Sequence, residues 1–253
     1  MRRGWNPRGR EEPSMIDLIV NVDHVATIRE ARMESEPDPV TIALMAEAAG
    51  ASGVALHLRG DRKHIQERDL RLLREVSKSS FELQINPTEE SVGLALASRP
   101  DVATIMQESD GRSSAGVDLI ALEDALKETV QALKRADVGV SFFIEPDLGQ
   151  VKVASRLGAD RVELRAHKFA CAVKPPEVER ELEKLAAAAT MTVKLGMSAF
   201  GGGAIDYRNA PKLAQVEELT GFVVGHAIVS RSVAVGIERA VWEMLSLVRA
   251  RPI

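Results

Sequence analysis

The chain has 253 residues, of which 45% are hydrophobic and 28% are charged, a balance typical of a globular protein. Its formal net charge of -4 argues against a nucleic-acid-binding protein, because a phosphate backbone binds to a basic surface. No apolar run reaches the roughly 20 residues needed to span a bilayer, so we expect no membrane partner. The single cysteine, Cys171, excludes an internal disulfide and predicts a cytoplasmic protein.

The first 14 residues differ in composition from the rest of the chain. They are rich in Arg, Glu, Gly and Pro and lack an apolar core, which excludes a secretory signal. We interpret residues 1–14 as a disordered extension and expect one folded domain over residues 15–253.

Short β-rich runs alternate with longer helical patterns along the chain. The predicted strands cover residues 18–22, 53–57, 81–86, 102–106, 138–144, 161–164, 191–197 and 221–224. The predicted helices cover residues 39–49, 65–78, 88–98, 118–136, 148–157, 177–189, 209–219 and 229–250. Asp38 is the predicted N-cap of the first helix, with Pro39 at its first position and Gly50 just past its end.

Eight strands alternating with eight helices indicate an α/β protein built as a single (β/α)8 TIM barrel. A weak internal repeat supports this prediction, since residues 49–56 resemble residues 157–164. Both segments have the pattern of a helix end, a glycine turn and a buried strand. An open doubly wound sheet shows the same alternation, usually with fewer units, and is the alternative.

Polar residues cluster where the predicted strands end, and in such a barrel these ends form the active site. Four of the five histidines, His24, His57, His64 and His226, follow strand ends or lie in the loops after them. One such histidine alone is more often structural, but four together favour a site for proton transfer or phosphate binding. Zinc is the rival ligand. Because the chain has no HExxH motif and no cysteine cluster, we expect no metal.

Two segments predict phosphate sites. Gly201, Gly202 and Gly203 follow the predicted strand seven, where backbone N–H groups of a barrel bind phosphate together with the loop after strand eight, here Gly225 and His226. A bare flexible turn is the alternative for the three glycines. A basic cluster after strand two is either a second anion site or a solvated loop. Its members are Arg59, Arg62, Lys63 and His64.

Blocks of sequence at these places together resemble the pyridoxine 5′-phosphate synthases, the barrel enzymes of the deoxyxylulose-dependent route to vitamin B6. The blocks are residues 21–32 (NVDHVATIREAR), 37–40 (PDPV), 57–69 (HLRGDRKHIQERD) and 225–231 (GHAIVSR). The resemblance covers the chain from about residue 15 onward, and its first three blocks are highly specific.

The resemblance implies a reaction and a set of partners. The family joins 3-amino-2-oxopropyl phosphate to 1-deoxy-D-xylulose 5-phosphate and forms pyridoxine 5′-phosphate, inorganic phosphate and water, with no metal or organic cofactor. The implied partners are therefore small-molecule phosphate esters. The implied assembly is a homo-oligomer, an octamer built from dimers.

The resemblance also implies contacts for each substrate. The aminoketone phosphate is held by Asn21 and Arg32, helped by Gly225 and His226, and Ala204 is a further substrate contact. The deoxyxylulose phosphate is held by Asp23, His24, Arg59 and His64, with a hydroxyl contact after strand four that falls on Ser113. His57 matches a catalytic proton acceptor.

Two expected catalytic positions are altered in this chain. Gln84 stands where the family has a catalytic Glu on strand three, and Gly203 stands where it has a catalytic His after strand seven. An amide is not a general base, and glycine has no side chain to donate a proton. After strand six, Arg165-Ala166-His167 replaces a His-Thr-Gly-like loop. His167 is the candidate for a relocated acid or base.

Three hypotheses for function follow. The protein is a working synthase with relocated acid–base groups, a paralogue that condenses a related aminoketone or ketose phosphate, or a catalytically inactive ligand-binding subunit. The retained His57, Arg59 and His64 argue against complete loss of the site.

Overall fold

The computed structural model describes residues 16–107 and 115–250, in which eight parallel strands close into a barrel. Each strand pairs with the next along the chain, and the last pairs with the first. The predicted TIM barrel is therefore confirmed and the open sheet is excluded. The strands are β1 (Asp17–Asn21), β2 (Gly53–His57), β3 (Ser80–Ile85), β4 (Val102–Ile105), β5 (Gly139–Ile144), β6 (Arg161–Arg165), β7 (Ser198–Gly202) and β8 (Leu219–Val224).

Helices connect the strands, and their apolar faces pack around the barrel in one large core. They are α1 (Asp23–Arg32), α2 (Pro39–Ala48), α3 (Glu67–Val76), α4 (Glu89–Ser98), α5 (Leu119–Arg135), α6 (Leu148–Leu157), α7 (His167–Cys171), α8 (Pro175–Lys194), α9 (Ala210–Leu213), α10 (His226–Val235) and α11 (Ile237–Arg249). Among the described residues, no helix has both the length and the apolar character to cross a membrane.

Local signals in the sequence fix where several helices begin and end. Asp38 accepts a hydrogen bond from the backbone N–H of Val40, and Pro39 opens α2, as predicted. Gly50 and Gly158 follow α2 and α6 with φ values of 102° and 84°. Glycine adopts such positive φ values without a Cβ clash, so both helices end there. The internal repeat in the sequence is this helix–turn–strand unit, present twice.

The seventh strand lies later in the chain than predicted. The sequence predicts a strand over residues 191–197, but α8 continues to Lys194 and β7 begins at Ser198. Thr192 is buried on the same helix as Leu185 and Ala188. Packing of this helix face therefore outweighs the local β propensity of the segment. Gly196, with φ of 82°, then turns the chain into the strand.

Two helix predictions were also wrong in extent, and one helix was not predicted. The predicted helix over residues 229–250 is divided into α10 and α11, because Gly236 has φ of 82° and ψ of 157°, outside the helical region. The predicted helix over residues 209–219 consists only of α9, and β8 already begins at its end. The helix α1, which the strand and helix patterns did not predict, starts directly after β1 and places its first turn at the carboxyl ends of the strands.

Candidate active site

The carboxyl ends of the strands open into a cavity of about 880 Å³. Asn21, His57, Gln84 and His226 come from four different strands or strand ends and meet at this one mouth, as predicted. Other predicted site residues that line the cavity are Asp23, His24, Arg59, His64, His167, Gly203, Ala204 and Gly225. Their presence in one cavity is a structural finding, and their individual roles stay predictions.

Some predicted site residues lie elsewhere. Arg32 is exposed in the last turn of α1 and does not line the cavity. Ser113 lies outside the described residues. The prediction of a loop at Gly201 and Gly202 was wrong, since both belong to β7. Of the three glycines only Gly203, with φ of 76°, follows the strand.

A hydrogen-bond network joins the ends of β1, β2 and β3. The Asn21 side-chain amide donates to Asp23 at 2.8 Å and to the Gln84 side-chain oxygen at 3.2 Å. Asp23 accepts the backbone N–H of His57 at 2.7 Å. Burial raises the pKa of Asp23 to about 7, while the donors on His57 and Asn21 oppose this rise. The network thus holds Gln84 as a fixed polar group on the cavity wall.

Four histidines stand in two pairs on the cavity wall. The ring centroids of His24 and His226 are 5.0 Å apart, and those of His57 and His64 are 6.2 Å apart. Burial, with help from His64 and Arg59, lowers the pKa of His57 to about 3. Burial and His226 also lower the pKa of His24. His57 and His24 are therefore neutral near pH 7, and a neutral imidazole nitrogen accepts protons.

The basic cluster between β2 and α3 divides into two parts. Arg59 and His64 line the cavity, whereas Arg62 and Lys63 do not. The Arg59 guanidinium donates two hydrogen bonds to Asp61, of 3.1 and 3.0 Å. Arg62 donates a hydrogen bond to the backbone carbonyl of Arg59 at 2.7 Å, which stabilises the loop between β2 and α3. Arg59 and His64 are thus the two residues of this cluster that are placed to bind an anion.

A buried arginine outside the cavity fixes this loop. Arg29 on α1 donates to both carboxylate oxygens of Asp69 at 2.8 Å and to the backbone carbonyl of His64 at 3.0 Å. Asp69 also accepts the backbone N–H of Gln66 at 2.9 Å. The hydrogen bonds that Arg29 donates to Asp69 raise the pKa of Arg29. Neither Arg29 nor Asp69 was predicted to have a role, although both lie in the blocks that carry the family resemblance.

The cavity floor holds a glutamate to which the sequence analysis assigned no role. Glu163 on β6 lines the cavity and is only 2% exposed. Its carboxyl group lies against Gly202, where any side chain would overlap it. Burial and the neighbouring Glu82 raise the pKa of Glu163 to about 8, although Arg161 lowers it. The alternation of charged with apolar residues along β6 (RVELR) was the signal in the sequence that could have identified it.

The loops after β6 and β7 meet around the altered position Gly203. A Cβ on Gly203 would lie 3.1 Å from Cζ of Phe143 and 3.5 Å from Cγ of Arg165. His167, the first residue of α7, lines the same cavity. Its Nδ1 is buried and has no hydrogen-bond partner in the described part of the chain. His167 thus lines the same cavity as Gly203, and its role as a relocated acid or base stays a prediction.

The donors in the cavity suit anions. Guanidinium, imidazole and amide groups bind phosphate oxygens through charge-assisted or neutral hydrogen bonds. Within residues 16–107 and 115–250, no three or more His, Cys, Asp and Glu side chains are grouped to hold a metal ion.

Comparison with known proteins identifies the family. Residues 18–250 match the family model described as pyridoxal phosphate biosynthesis protein PdxJ. The chain belongs to this family. It is 43% identical over 236 residues to the pyridoxine 5′-phosphate synthase of Syntrophobacter fumaroxidans, covering 92% of this chain and 99% of that protein. It is 42% identical over 237 residues to that of Geobacter sulfurreducens, covering 93% and 99%. The resemblance found in the sequence blocks is confirmed.

Solved structures of unrelated sequence share the fold. Thiamine phosphate pyrophosphorylase from Pyrococcus furiosus superposes with a TM-score of 0.62 at 17% identity, covering 93% of this chain and 96% of that one. Phosphoribosyl anthranilate isomerase from Thermus thermophilus gives a TM-score of 0.58 at 14% identity, covering 91% and 97%. At these identities the similarity shows the barrel alone.

We predict that Arg29→Met lowers the free energy of unfolding by about 3–5 kcal/mol, because it leaves the buried Asp69 carboxylate without its partner. Urea denaturation measures the loss. Arg68→Met is the matched control, since Arg68 is 54% exposed and lies 3.4 Å from the same carboxylate. It should cost less than about 1 kcal/mol. Equal losses in the two variants would contradict the assigned role of Arg29.

Proposed function

We propose that the protein condenses 3-amino-2-oxopropyl phosphate with 1-deoxy-D-xylulose 5-phosphate to pyridoxine 5′-phosphate and phosphate. Membership of the family supports the substrate pair. The observation that carries the proposal is that the pKa values of two groups in one cavity are shifted in opposite directions. The pKa of Glu163 is raised to about 8 and that of His57 is lowered to about 3. Such a divergence separates a proton donor from a proton acceptor near neutral pH.

The two groups suit the dehydrations that the condensation requires. In each dehydration the proton on carbon passes to the neutral His57 ring, and the C–O bond breaks with its electron pair on oxygen. That oxygen takes the proton of the Glu163 carboxyl group and leaves as water. His57 then releases its proton to solvent and the Glu163 carboxylate takes one up from solvent, so both groups regain their starting state. His167 at the cavity mouth is the second candidate donor, as the sequence analysis predicts.

Two anion sites follow from the arrangement of donors. Arg59 and His64 form the first, for the ketose phosphate, within reach of the wall that carries Asp23 and His24. A phosphate there shares or displaces the present pairing of Arg59 with Asp61.

The second anion site lies where α10 begins. Gly225 precedes this ten-residue helix and provides no side-chain cap, so the first N–H groups of α10 face the cavity mouth. Gly203 and Ala204, both with positive φ, lie on the same wall. We assign this site to the aminoketone phosphate, with Asn21 nearby. This arrangement gives no support to the contact predicted for Arg32.

A related aminoketone or ketose phosphate is the second candidate substrate. The observation that favours it is Arg165, which adds a cation to the cavity wall and pairs with Glu145 at 2.8 Å. An added acidic group on the substrate would find a partner there. Identification of the product by mass analysis separates the two candidates.

A cytosolic homo-oligomer is part of the same proposal. The family resemblance supports it, because the family forms octamers built from dimers. Light scattering coupled to size exclusion should give the mass of an octamer. A stable monomer at micromolar concentration would contradict this part of the proposal.

We predict slow formation of pyridoxine 5′-phosphate when the protein is incubated with both substrates. Because Gln84 and Gly203 cannot transfer protons, the rate should lie about 10²–10⁴-fold below that of the Geobacter sulfurreducens relative assayed alongside. Glu163→Gln and His167→Ala then show which group donates. Absence of product together with absence of phosphate release would refute the proposed reaction. A rate equal to that of the relative would show that the two positions do not mark lost catalysis.

We predict that Arg59→Ala weakens the binding of 1-deoxy-D-xylulose 5-phosphate by about 1.5–3 kcal/mol, the typical value of a hydrogen bond to a charged group. Isothermal calorimetry measures the affinity. Arg135→Ala, on the exposed surface of α5, is the control and should bind as the unmodified protein does. Unchanged affinity in Arg59→Ala would remove this anion site from the proposal.

A further inference from the structure

A cluster of charged side chains is buried inside the barrel, directly beneath the cavity. Glu82 on β3 is 0% exposed, and Arg161 and Glu163 on β6 are each 2% exposed. Glu163 lines the cavity, whereas Glu82 and Arg161 do not. One end of a buried charge network therefore reaches the place where the substrates react.

Arg161 and Glu82 form a buried ion pair that Thr104 also bridges. Nη2 of Arg161 lies 2.5 Å from Oε2 of Glu82. The same nitrogen donates to the hydroxyl of Thr104 at 3.1 Å, and Thr104 donates to Oε1 of Glu82 at 2.6 Å. Nε of Arg161 donates to the hydroxyl of Ser141 at 3.2 Å, and the ring of Phe200 covers the guanidinium at 4.5 Å. Rotation of the guanidinium toward the cavity would break all of these contacts.

Glu163 stands one layer above Arg161. Residues two apart on a strand point to the same side, so the Glu163 carboxyl group lies between the guanidinium and the cavity. Gly202 on the adjacent strand leaves the space that this carboxyl group occupies. Oε2 of Glu163 is buried and has no hydrogen-bond partner among the residues that the structure describes.

The charge balance of the cluster decides the state of Glu163. Two carboxylates and one guanidinium would leave a net negative charge in the barrel interior, and an uncompensated buried ion costs several kcal/mol. The hydrogen bonds of Arg161 are directed to the side of Glu82, so Glu82 is the carboxylate that the guanidinium neutralises. Within the described part of the chain Glu163 has no ion-pair partner, and it is stable as the neutral acid.

We propose that Glu82 is a positioning residue: by pairing with Arg161 it leaves Glu163 without a neutralising cation, keeps Glu163 protonated and thereby makes it the proton donor of the reaction. The donor part rests on the proposed function. The protonation part does not, because it concerns the protein without substrate.

The surroundings of Glu163 support this assignment. Burial and Glu82 together outweigh Arg161 and raise the pKa of Glu163 to about 8. The neighbouring strands β5 and β7 bring the uncharged Phe143 and Phe200 beside it. The other charged or titratable side chains on the same cavity wall are Asp23, His24, His57, Arg59, His64, Arg165, His167, Asp206 and His226. Among the described residues, Glu82 and Arg161 are the charged groups that shift its pKa.

The deciding variant is Glu82→Gln, which keeps the shape of the side chain and its hydrogen bond from Thr104. Arg161 then lies beneath Glu163 without its carboxylate partner, and its charge favours the ionised form of Glu163. We expect the titration midpoint of Glu163 to fall by about 1–3 pH units. Carbon NMR of protein labelled at the glutamate carboxyl groups measures it, with the resonance assigned by its loss in Glu163→Gln. An unmoved midpoint in folded Glu82→Gln would overturn the proposal.

Arg161→Met is a second variant with the opposite expected sign. It leaves two carboxyl groups facing each other without a cation, so the midpoint of Glu163 should rise above its value in the unmodified protein. This variant keeps the proposal testable if Glu82→Gln does not fold. Ser141→Ala is the control, because it removes a hydroxyl from Arg161 without changing any charge. A midpoint in Arg161→Met that falls would contradict the proposed charge balance.

Kinetics test the donor part separately. Because the neutral acid is the active form, kcat/KM of the unmodified protein should fall as the pH rises through about 8. In Glu82→Gln this limb should move to lower pH by the same amount as the NMR midpoint. A limb that stays in place while the NMR midpoint moves would overturn the donor role alone. If the protein makes no product, the NMR result still stands, so failure of the proposed function and failure of this inference are distinguishable.

Discussion

The pairing of β8 with β1 is the constraint from which the site follows. Closure with every strand parallel puts all carboxyl ends at one mouth, and the register then sets which side chains are neighbours. His57 lies opposite Gln84 and Arg165 lies opposite Gly202, although these partners are far apart in sequence. Short loops after the strands are therefore enough to place their side chains in the same cavity. The groups proposed to bind anions and those proposed to transfer protons therefore line one cavity.

The barrel and most of the cavity lining could be predicted from the sequence, because both depend on local patterns. Alternation of strands and helices specifies the fold, and polar residues at strand ends specify the mouth. Arg29 and Glu163 could not be assigned in this way. Arg29 pairs with Asp69, 40 residues away, and the pKa of Glu163 is raised by burial and by Glu82 on another strand. Such pairings arise only when the chain folds, because a local sequence pattern does not show which distant residues come into contact.

The errors in the prediction have the same origin. Residues 191–197 have strand-like composition, yet the buried face of α8 extends through Thr192 and keeps the segment helical. Gly201 and Gly202 resemble a flexible phosphate loop, yet both are strand residues at crowded positions. A Cβ on Gly201 would lie 3.0 Å from the ring of Phe222, and one on Gly202 would overlap Glu163. These glycines are therefore explained by the volume of their neighbours, which composition alone cannot reveal.

The altered position at Gln84 and the buried cluster are linked through electrostatics. Glu82 and Gln84 are two residues apart on β3 and share the inner face of the barrel, with Glu82 one layer deeper. A glutamate at position 84 would add a carboxylate above Glu82 and near Glu163, with Arg161 already neutralised by Glu82. Its charge would raise the pKa of Glu163 further, or it would take up a proton itself. An amide at this position keeps the hydrogen bond to Asn21 and adds no charge. Gln84 is thus compatible with a protonated Glu163 beneath the substrates. The substitution Gln84→Glu would change the protonation states of several groups in the cavity rather than restore a single missing base.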